Sequence, residues 1–411
     1  MNTKVKVTVI AALIAITAMA LTPITTGDKV KPIKIGVIAA TQEGYEDYLP
    51  LFKEILEPDI NQYVSTLPRL RFNPAREFQF IMEHADSSPA IHLEKVQALH
   101  AMGVDLIIGG FWSSQAAASL DYVNEHGILL LSGSSTSQGL SIPGDNLYRL
   151  CPDDDIQAKP LARMMYSKGT RNAIVIAHDD LWSQSLSTAF QDRFEELGGS
   201  ILGTLYYPPD ETDFAPYLEE ADNLADGKPD VSVLLLSFNE LADIIIQARD
   251  YTTIYNSAPW YTSEFGGRNA QVLEEAPDEA IHLTLYSPQP TPPDTAKYRD
   301  LAERYEALTG KTPHWYTTTA ADAAWVIAQA VLETRPTFTP GNYDEAQAVI
   351  DALPHVTYRH QGYSGWTLLN EAGDRAEAYF EIWGYCLDNG HPSYARYGNY
   401  DTATDELNWH P

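Results

Sequence analysis

The chain is poor in cysteine, in positive charge and in long apolar runs, and each shortage removes a class of protein. Only Cys151 and Cys386 occur in 411 residues, which excludes a disulfide-dense scaffold and a cysteine-rich metal site. Two separate buried thiols are expected. Lysine and arginine total 27 against 56 aspartates and glutamates, a formal net charge of −29. Such a surface repels phosphate backbones and anionic headgroups, so nucleic acid is not a partner, and the acidity is read as solubility. No run reaches the ~20 apolar residues of a membrane-spanning helix. The longest, 7–21, follows Lys4 and Lys6 and contains the small-residue site Ala18-Met19-Ala20. That is the layout of an export signal, so 1–27 is expected to be a signal peptide or N-terminal anchor, with the rest periplasmic or extracellular. No cysteine lies beside it to carry a lipid.

Catalytic signatures are missing too. There is no G-x-S-x-G, H-E-x-x-H, G-x-x-x-x-G-K-[ST] or G-x-G-x-x-G. His178-Asp179-Asp180 has no third histidine at ligand spacing, so the expectation is no enzyme, no metal and no cofactor.

What the chain does contain is a regular alternation of short apolar runs with longer amphipathic ones from Ile33 onward. "IKIGVIAA", "EFQFI", "VDLIIGG" and "GILLLSG" read as buried strands, with helices over 46–65, 89–102 and 114–126 between them. A second series follows: "NAIVIAHDD", "ILGTLYY", "DVSVLLLSF" and "APWYTSE", separated by helices at 184–197, 213–224 and 240–250. A third block adds strand "IHLTLYS" and helices over 295–308 and 316–333. The stretch from "GWTLLN" through "EAGDR" to "AEAYFEIWGYCL" reads as a β-hairpin with a glycine-containing turn. Repeated βα units predict an α/β protein with two open, mostly parallel sheets.

In such sheets ligands bind outside the carboxyl ends of strands. The strand-end loops here are rich in hydroxyls, aromatics and glycines: "AATQEGYED", "GGFWSSQ", "SGSSTSQG", "HDDLWSQS", "SFNE" and "SEFGG". A helix opening at Ser113 or Ser114 presents unpaired N–H groups that suit a carboxylate. "SGSSTSQG" supplies Ser134, Ser135 and Thr136 one βα unit later, so two hydroxyl loops converge if their strands are adjacent. Glu264 is an isolated acid flanked by "APWYTS" and "FGG". Drawn into an aromatic cleft, it calls for a cationic partner.

Five segments, "IKIGVIAA", "DLIIGGFWSSQAAASLDYVNEHGILLLSGSSTSQGL", "NLYRLCPDDDIQAKPLARMM", "NAIVIAHDDLWSQSLSTAFQDRFEELGGSIL" and "DFAPYLEEADNLADGKPDVSVLLL", stand in one order and spacing. In this the chain resembles the branched-chain amino-acid-binding (leucine-binding) family, type I periplasmic binding proteins that serve ABC importers. The resemblance covers about 33–390. It implies two Rossmann-like open-sheet lobes joined by a three-strand hinge, one from 33–151 with 284–357, the other from 152–283 with 358–390, leaving 391–411 as a C-terminal tail.

The resemblance also implies roles. Ser113 matches a hydroxyl on the ligand carboxylate, Thr136 one that meets carboxylate and amine, and Ser134 a backbone carbonyl for the ammonium. Glu264 matches the acid that pairs with that ammonium. Tyr45, Trp182, Phe238 and Tyr316 match positions enclosing the ligand body. Trp182-Ser183-Gln184-Ser185 departs from the aromatic-Gly-x-Gly common among relatives, and Phe238 lacks a phenolic hydroxyl, so the side chain accepted is open. The expected function is capture of a small zwitterion, an amino acid, for delivery to ABC permease subunits. A ligand-sensing receptor domain, or a binder of a small amide or carboxylate, is the alternative.

Overall fold

Two open sheets with helices on both faces organise this computed structural model, which describes residues 32–67, 77–334 and 343–410, apart from the side chains of Tyr343 and Asp344. The expected export segment lies outside the described residues. Among them, no helix is long and apolar enough to cross a membrane.

The first sheet contains β1 (Ile33–Ala39), β2 (Phe78–His84), β3 (Leu106–Ile108), β4 (Leu129–Ser132) and β5 (Leu147–Arg149), all parallel, in the order β2-β1-β3-β4-β5. Its inner strands β3 and β4 are buried and almost wholly apolar because both faces are covered. Ile107 and Leu130 enter one core while Ile108 and Leu131 enter another, the two-residue alternation of a pleated strand. The Trp315–Thr334 helix packs in the second of these cores.

The second sheet begins with β6 (Asn172–His178), β7 (Ser200–Tyr207), β8 (Val231–Leu236), β9 (Tyr261–Thr262) and β10 (Tyr286–Pro290). After a small hairpin, β11 (Gln361–Gly362) with β12 (Gly365–Trp366), the chain completes it with β13 (Tyr379–Asp388), β14 (His391–Asp401) and β15 (Glu406–Trp409). The order is β7-β6-β8-β9-β10-β13-β14-β15, the last three antiparallel. Strand order reverses between β1 and β3 in the first sheet and between β6 and β8 in the second. The loops leaving those four strands therefore splay apart and leave a crevice in each lobe.

The α/β class and two open, mostly parallel sheets agree with the sequence reading, while several boundaries differ. Residues 286–290, which the resemblance assigns to the first lobe, belong to the second sheet, since β10 pairs with β9 and β13. The sequence reading starts this strand earlier, at 281. Tyr286 N donates to Trp260 O at 3.0 Å, so the alternate residues Pro288 and Pro290 turn their donor-less nitrogens to that same side, beyond the end of β9. Ile281 and His282, read as strand, end a short helix, Pro277–His282.

The stretch 391–411 is no tail, because β14 and β15 occupy 391–401 and 406–409. The hairpin that closes the chain is β13–β14, turning on Asn389 (φ 52°) and Gly390 (φ 84°). Asn-Gly is the strongest two-residue hairpin signal, since both positions need positive φ. The expected hairpin arm at 365–376 is reduced to one bridge, Leu369 with Arg375. Residues 358–366 adjoin the first lobe through the hairpin β11–β12, which meets the helices Trp315–Thr334 and Tyr343–Arg359.

Where the chain passes between lobes, Arg149 and Asp374 form a buried bidentate pair, Nε to Oδ1 at 2.5 Å and Nη2 to Oδ2 at 2.7 Å. Their side chains are 0% and 1% exposed. Arg149 Nη1 also donates to Ser135 O and Ser137 O, tying the hinge to a cleft loop. The two cysteines are unpaired thiols, Cys151 buried and Cys386 half-buried.

Candidate functional site

The crevices face one another and enclose a cavity of about 190 Å³. On the first-lobe side β1 runs into Thr41, whose Oγ1 accepts from Gly44 N at 2.9 Å and starts the Gln42–Pro50 helix. β3 runs into Gly109-Gly110. Gly110 has φ +64°, and a Cβ there would lie 3.1 Å from that of Ala116. Glycine thus lets the backbone turn sharply and hand Phe111, Trp112 and Ser113 to the cavity. Gly110 N donates to His92 Nε2 at 2.7 Å, which pins the turn.

The Ser113–His126 helix opens at the cavity with Trp112 as a residue that makes no side-chain cap, so its first N–H groups are left for another acceptor. Ser113 Oγ accepts from Ser137 N at 3.1 Å. Since β3 and β4 are neighbours, the two hydroxyl loops do converge.

The second lobe supplies Asp180, Trp182, Phe238, Glu264 and Phe265. Asp180 Oδ1 caps the Leu181–Glu196 helix by accepting from Ser183 N at 2.8 Å, and this places Trp182 in the first turn. Rings line the cavity in sequence. Trp112 stacks on Phe238 across the cleft with centroids 5.9 Å apart, Phe238 contacts Trp182 at 4.8 Å and Phe265 at 5.0 Å, and Phe265 reaches Tyr316 at 6.5 Å.

Glu264 is 1% exposed. Tyr316 Oη donates to its Oε1 at 2.8 Å and Gln157 Nε2 donates to its Oε2. Gln289 Nε2 holds its backbone carbonyl at 2.9 Å. Burial pushes the carboxyl up to about 7, against the opposing bond from Tyr316. Asp154, at the start of the Asp154–Ser167 helix, is likewise pushed up to about 7 by burial; the hydroxyls of Ser185 and Thr136 oppose the rise and the charge of Glu264 adds to it. Two buried carboxyls thus hold their protons more readily than free ones beside a cavity whose lining includes no lysine or arginine.

Of the residues singled out from sequence, Ser113, Ser134, Trp182, Phe238, Glu264 and Tyr316 line the cavity. Ser134 Oγ donates to Phe111 O at 2.7 Å and so braces the wall. Tyr45 and Thr136 lie outside the lining. Because the helix begins at Gln42, Tyr45 turns toward β2 and packs edge-on against His84 at 5.5 Å, and Tyr48 faces Phe111 instead. Thr136 is buried behind the wall, against Asp154. Sequence reasoning missed Trp112, Phe265 and Gln157. The first two stand beside residues it chose, and Gln157 lies one helical turn from Asp154.

A family model described as periplasmic binding protein matches residues 73–378. The chain belongs to the periplasmic binding protein family. Members of this family bind solutes and are not enzymes. An uncharacterized protein of Methanocaldococcus jannaschii is 26% identical to this periplasmic binding protein over 400 residues, covering 93% of each. The leucine-, isoleucine-, valine-, threonine-, and alanine-binding protein from Brucella ovis, in its closed conformation, superposes with TM-score 0.71 at 16% identity, covering 91% of this chain and 96% of that one. LivJ from Streptococcus pneumoniae, a branched-chain amino acid transporter substrate binding protein in complex with isoleucine, gives 0.70 at 17%, covering 89% and 99%. An ABC transporter solute binding protein from Rhodopseudomonas palustris BisB5, in complex with 3,4-dihydroxy benzoic acid, gives 0.70 at 14%, covering 90% and 98%. At these identities the structural likeness carries the two-lobed type I fold, and ligand chemistry rests on the cavity itself.

Proposed function

We propose that this periplasmic binding protein is exported, captures a small zwitterion, an amino acid, between its lobes, and presents it to the permease subunits of an ABC importer. The observation that carries the reading is the placement of Glu264, a buried carboxylate on one lobe, around the same cavity as the open helix start at Ser113 on the other. An ammonium group would pair with the first and a carboxylate with the second, so one ligand bonds both lobes and favours their closure. Ser113 serves the anionic end, Glu264 with Tyr316 and the backbone carbonyl of Ser134 the cationic end, and Trp182 and Phe238 the body. Titration calorimetry against the twenty amino acids tests it: at least one should bind the wild type, and Glu264→Gln should bind it far more weakly.

A second reading, a carboxylate without an amine, draws on the raised carboxyl of Glu264, already served by two donors, and on the aromatic walls. In that case an aryl carboxylate binds the wild type and Glu264→Gln alike.

A further inference from the structure

A second cavity, of about 500 Å³, opens at the hinge and shares no lining residue with the cleft. Pro293, Trp315, Gly365 and Trp366 line it from the first-lobe side and Thr291 and Tyr379 from the second. At its floor is Arg375, only 4% exposed. Its guanidinium donates to Ser364 Oγ and Ser364 O at 2.7 Å each, to Glu377 O at 3.1 Å and to Leu150 O at 3.3 Å. All four acceptors are neutral. Among the described residues no carboxylate stands within ion-pair distance of it, whereas its neighbour Asp374 is committed to Arg149.

The nearest compensation is indirect, since Ser364 Oγ donates to Asp322 Oδ2 at 2.6 Å. That carboxylate also accepts from the backbone N–H groups of Tyr363 and Ser364. Burial pulls the guanidinium down to about 10, the direction expected of a cation short of an anion.

An arginine has five N–H donors, and these four bonds leave one on Nη2. Gly365 keeps the space beside it open: a Cβ there would lie 3.4 Å from Nη2 and 3.5 Å from Pro293 Cδ. The Trp315 ring lies 5.2 Å from the guanidinium, while Trp366 and Tyr379 are 40% and 45% exposed at the rim. Two acids, Glu377 and Asp401, also line the cavity. Their repulsion grows with the charge of a bound anion, so it disfavours a monoanion less than a polyanion.

We propose that this hinge pocket is a second ligand site, which takes a small organic monocarboxylate on Arg375 with its apolar body against Trp315, Trp366 and Tyr379. The site is independent of which ligand fills the cleft. It adjoins the cleft closely, because Trp315 faces the hinge pocket while the next residue, Tyr316, reaches Glu264.

Benzoate is the probe, titrated calorimetrically into the full chain. Expected is binding by the wild type that persists within twofold in Trp182→Ala, which alters only the cleft. It should weaken tenfold or more in Arg375→Met and in Ala378→Trp, a bulky change at a lining residue that accepts none of the guanidinium bonds. Inorganic phosphate should not compete. Arg375 also bonds the crossing segments, so Ala378→Trp decides the matter if Arg375→Met fails to fold. The proposal is overturned by no benzoate binding, by unchanged binding in Ala378→Trp, by loss in Trp182→Ala, or by displacement with phosphate.

Discussion

Tyr316 Oη, on the helix that packs beneath the first sheet, donates a 2.8 Å hydrogen bond to Glu264 Oε1 in the loop after β9 of the second sheet. Burial, and then the charge of Glu264, drive the phenol far above its ordinary range, so it stays a donor at every working pH. Two further contacts bridge the lobes: Gln138 N donates to Ser185 Oγ at 2.8 Å, and Trp112 stacks on Phe238. In the described arrangement a few specific contacts thus join the lobes around the cavity.

Tyr316→Phe removes one of those contacts and leaves the ring in place. A hydrogen bond to a charged group is worth about 1.5–3 kcal/mol. Affinity for the proposed zwitterion should fall about tenfold or more. Equal affinities in wild type and variant would remove Tyr316 from the closure mechanism.

Glu264→Gln keeps the shape and deletes the charge. Losing one partner of a buried ion pair costs about 2–5 kcal/mol, so zwitterion affinity should drop by roughly 30-fold or more. The ligand-free protein should not lose stability, because a buried carboxyl has been replaced by a neutral isostere. A calorimetric titration and a thermal melt read the two effects separately.

Ligand affinity and ligand-free stability should respond to pH in opposite directions. Glu264 and Asp154 are both raised to about 7, from ordinary values near 4.5 and 3.8. Between those limits the folded chain binds more protons than the unfolded one, so the slope of unfolding free energy against pH is negative. The stabilising share of these groups is complete below about pH 4 and is lost as pH rises through 7. Pairing with an ammonium needs Glu264 ionised, so zwitterion affinity should rise over pH 6 to 8. Melting curves and titrations across that range check both signs, and parallel trends would refute the account.

At the hinge, Asp374→Ala leaves the guanidinium of Arg149 buried without its bidentate partner. Breaking such a pair costs about 3–5 kcal/mol. Denaturant unfolding should show a loss of that order. The double variant Arg149→Met with Asp374→Leu should recover part of it, since the desolvation penalty goes with the charges.

Gly110→Ala tests the turn that aims Phe111, Trp112 and Ser113. With φ at +64° and a Cβ 3.1 Å from that of Ala116, alanine should cost about 1–2 kcal/mol. Ligand affinity should fall as well, because the helix start shifts relative to the cavity. A melt and a titration on the same preparation measure both.

Much of the site was legible because strand-end loops are punctuated. The glycines before Ser113, the hydroxyls of 134–136 and the lone acid at 264 are compositional departures within apolar surroundings. Tyr45 misled because a loop position does not tell where a helix begins. Once Thr41 caps the helix at Gln42, the side chain at 45 points away from the cavity and the one at 48 points toward it. Thr136 misled for a related reason, since a hydroxyl in a cleft loop faces either the ligand or a buried neighbour, and here it faces Asp154.

Periodicity and punctuation are local properties of the chain, so the residue order alone determined the βα alternation, the pair of parallel sheets and the loops in which a ligand is met. Partner choice across 50 to 200 residues is not local. Only the folded molecule decided that β10 joins the second sheet, that β14 and β15 extend it, that Gln157 and Tyr316 converge on Glu264, and that Arg375 ends up buried among neutral acceptors. Those outcomes depend on which unpaired backbone edges and buried charges find partners in space, and spacing along the chain carries no record of that.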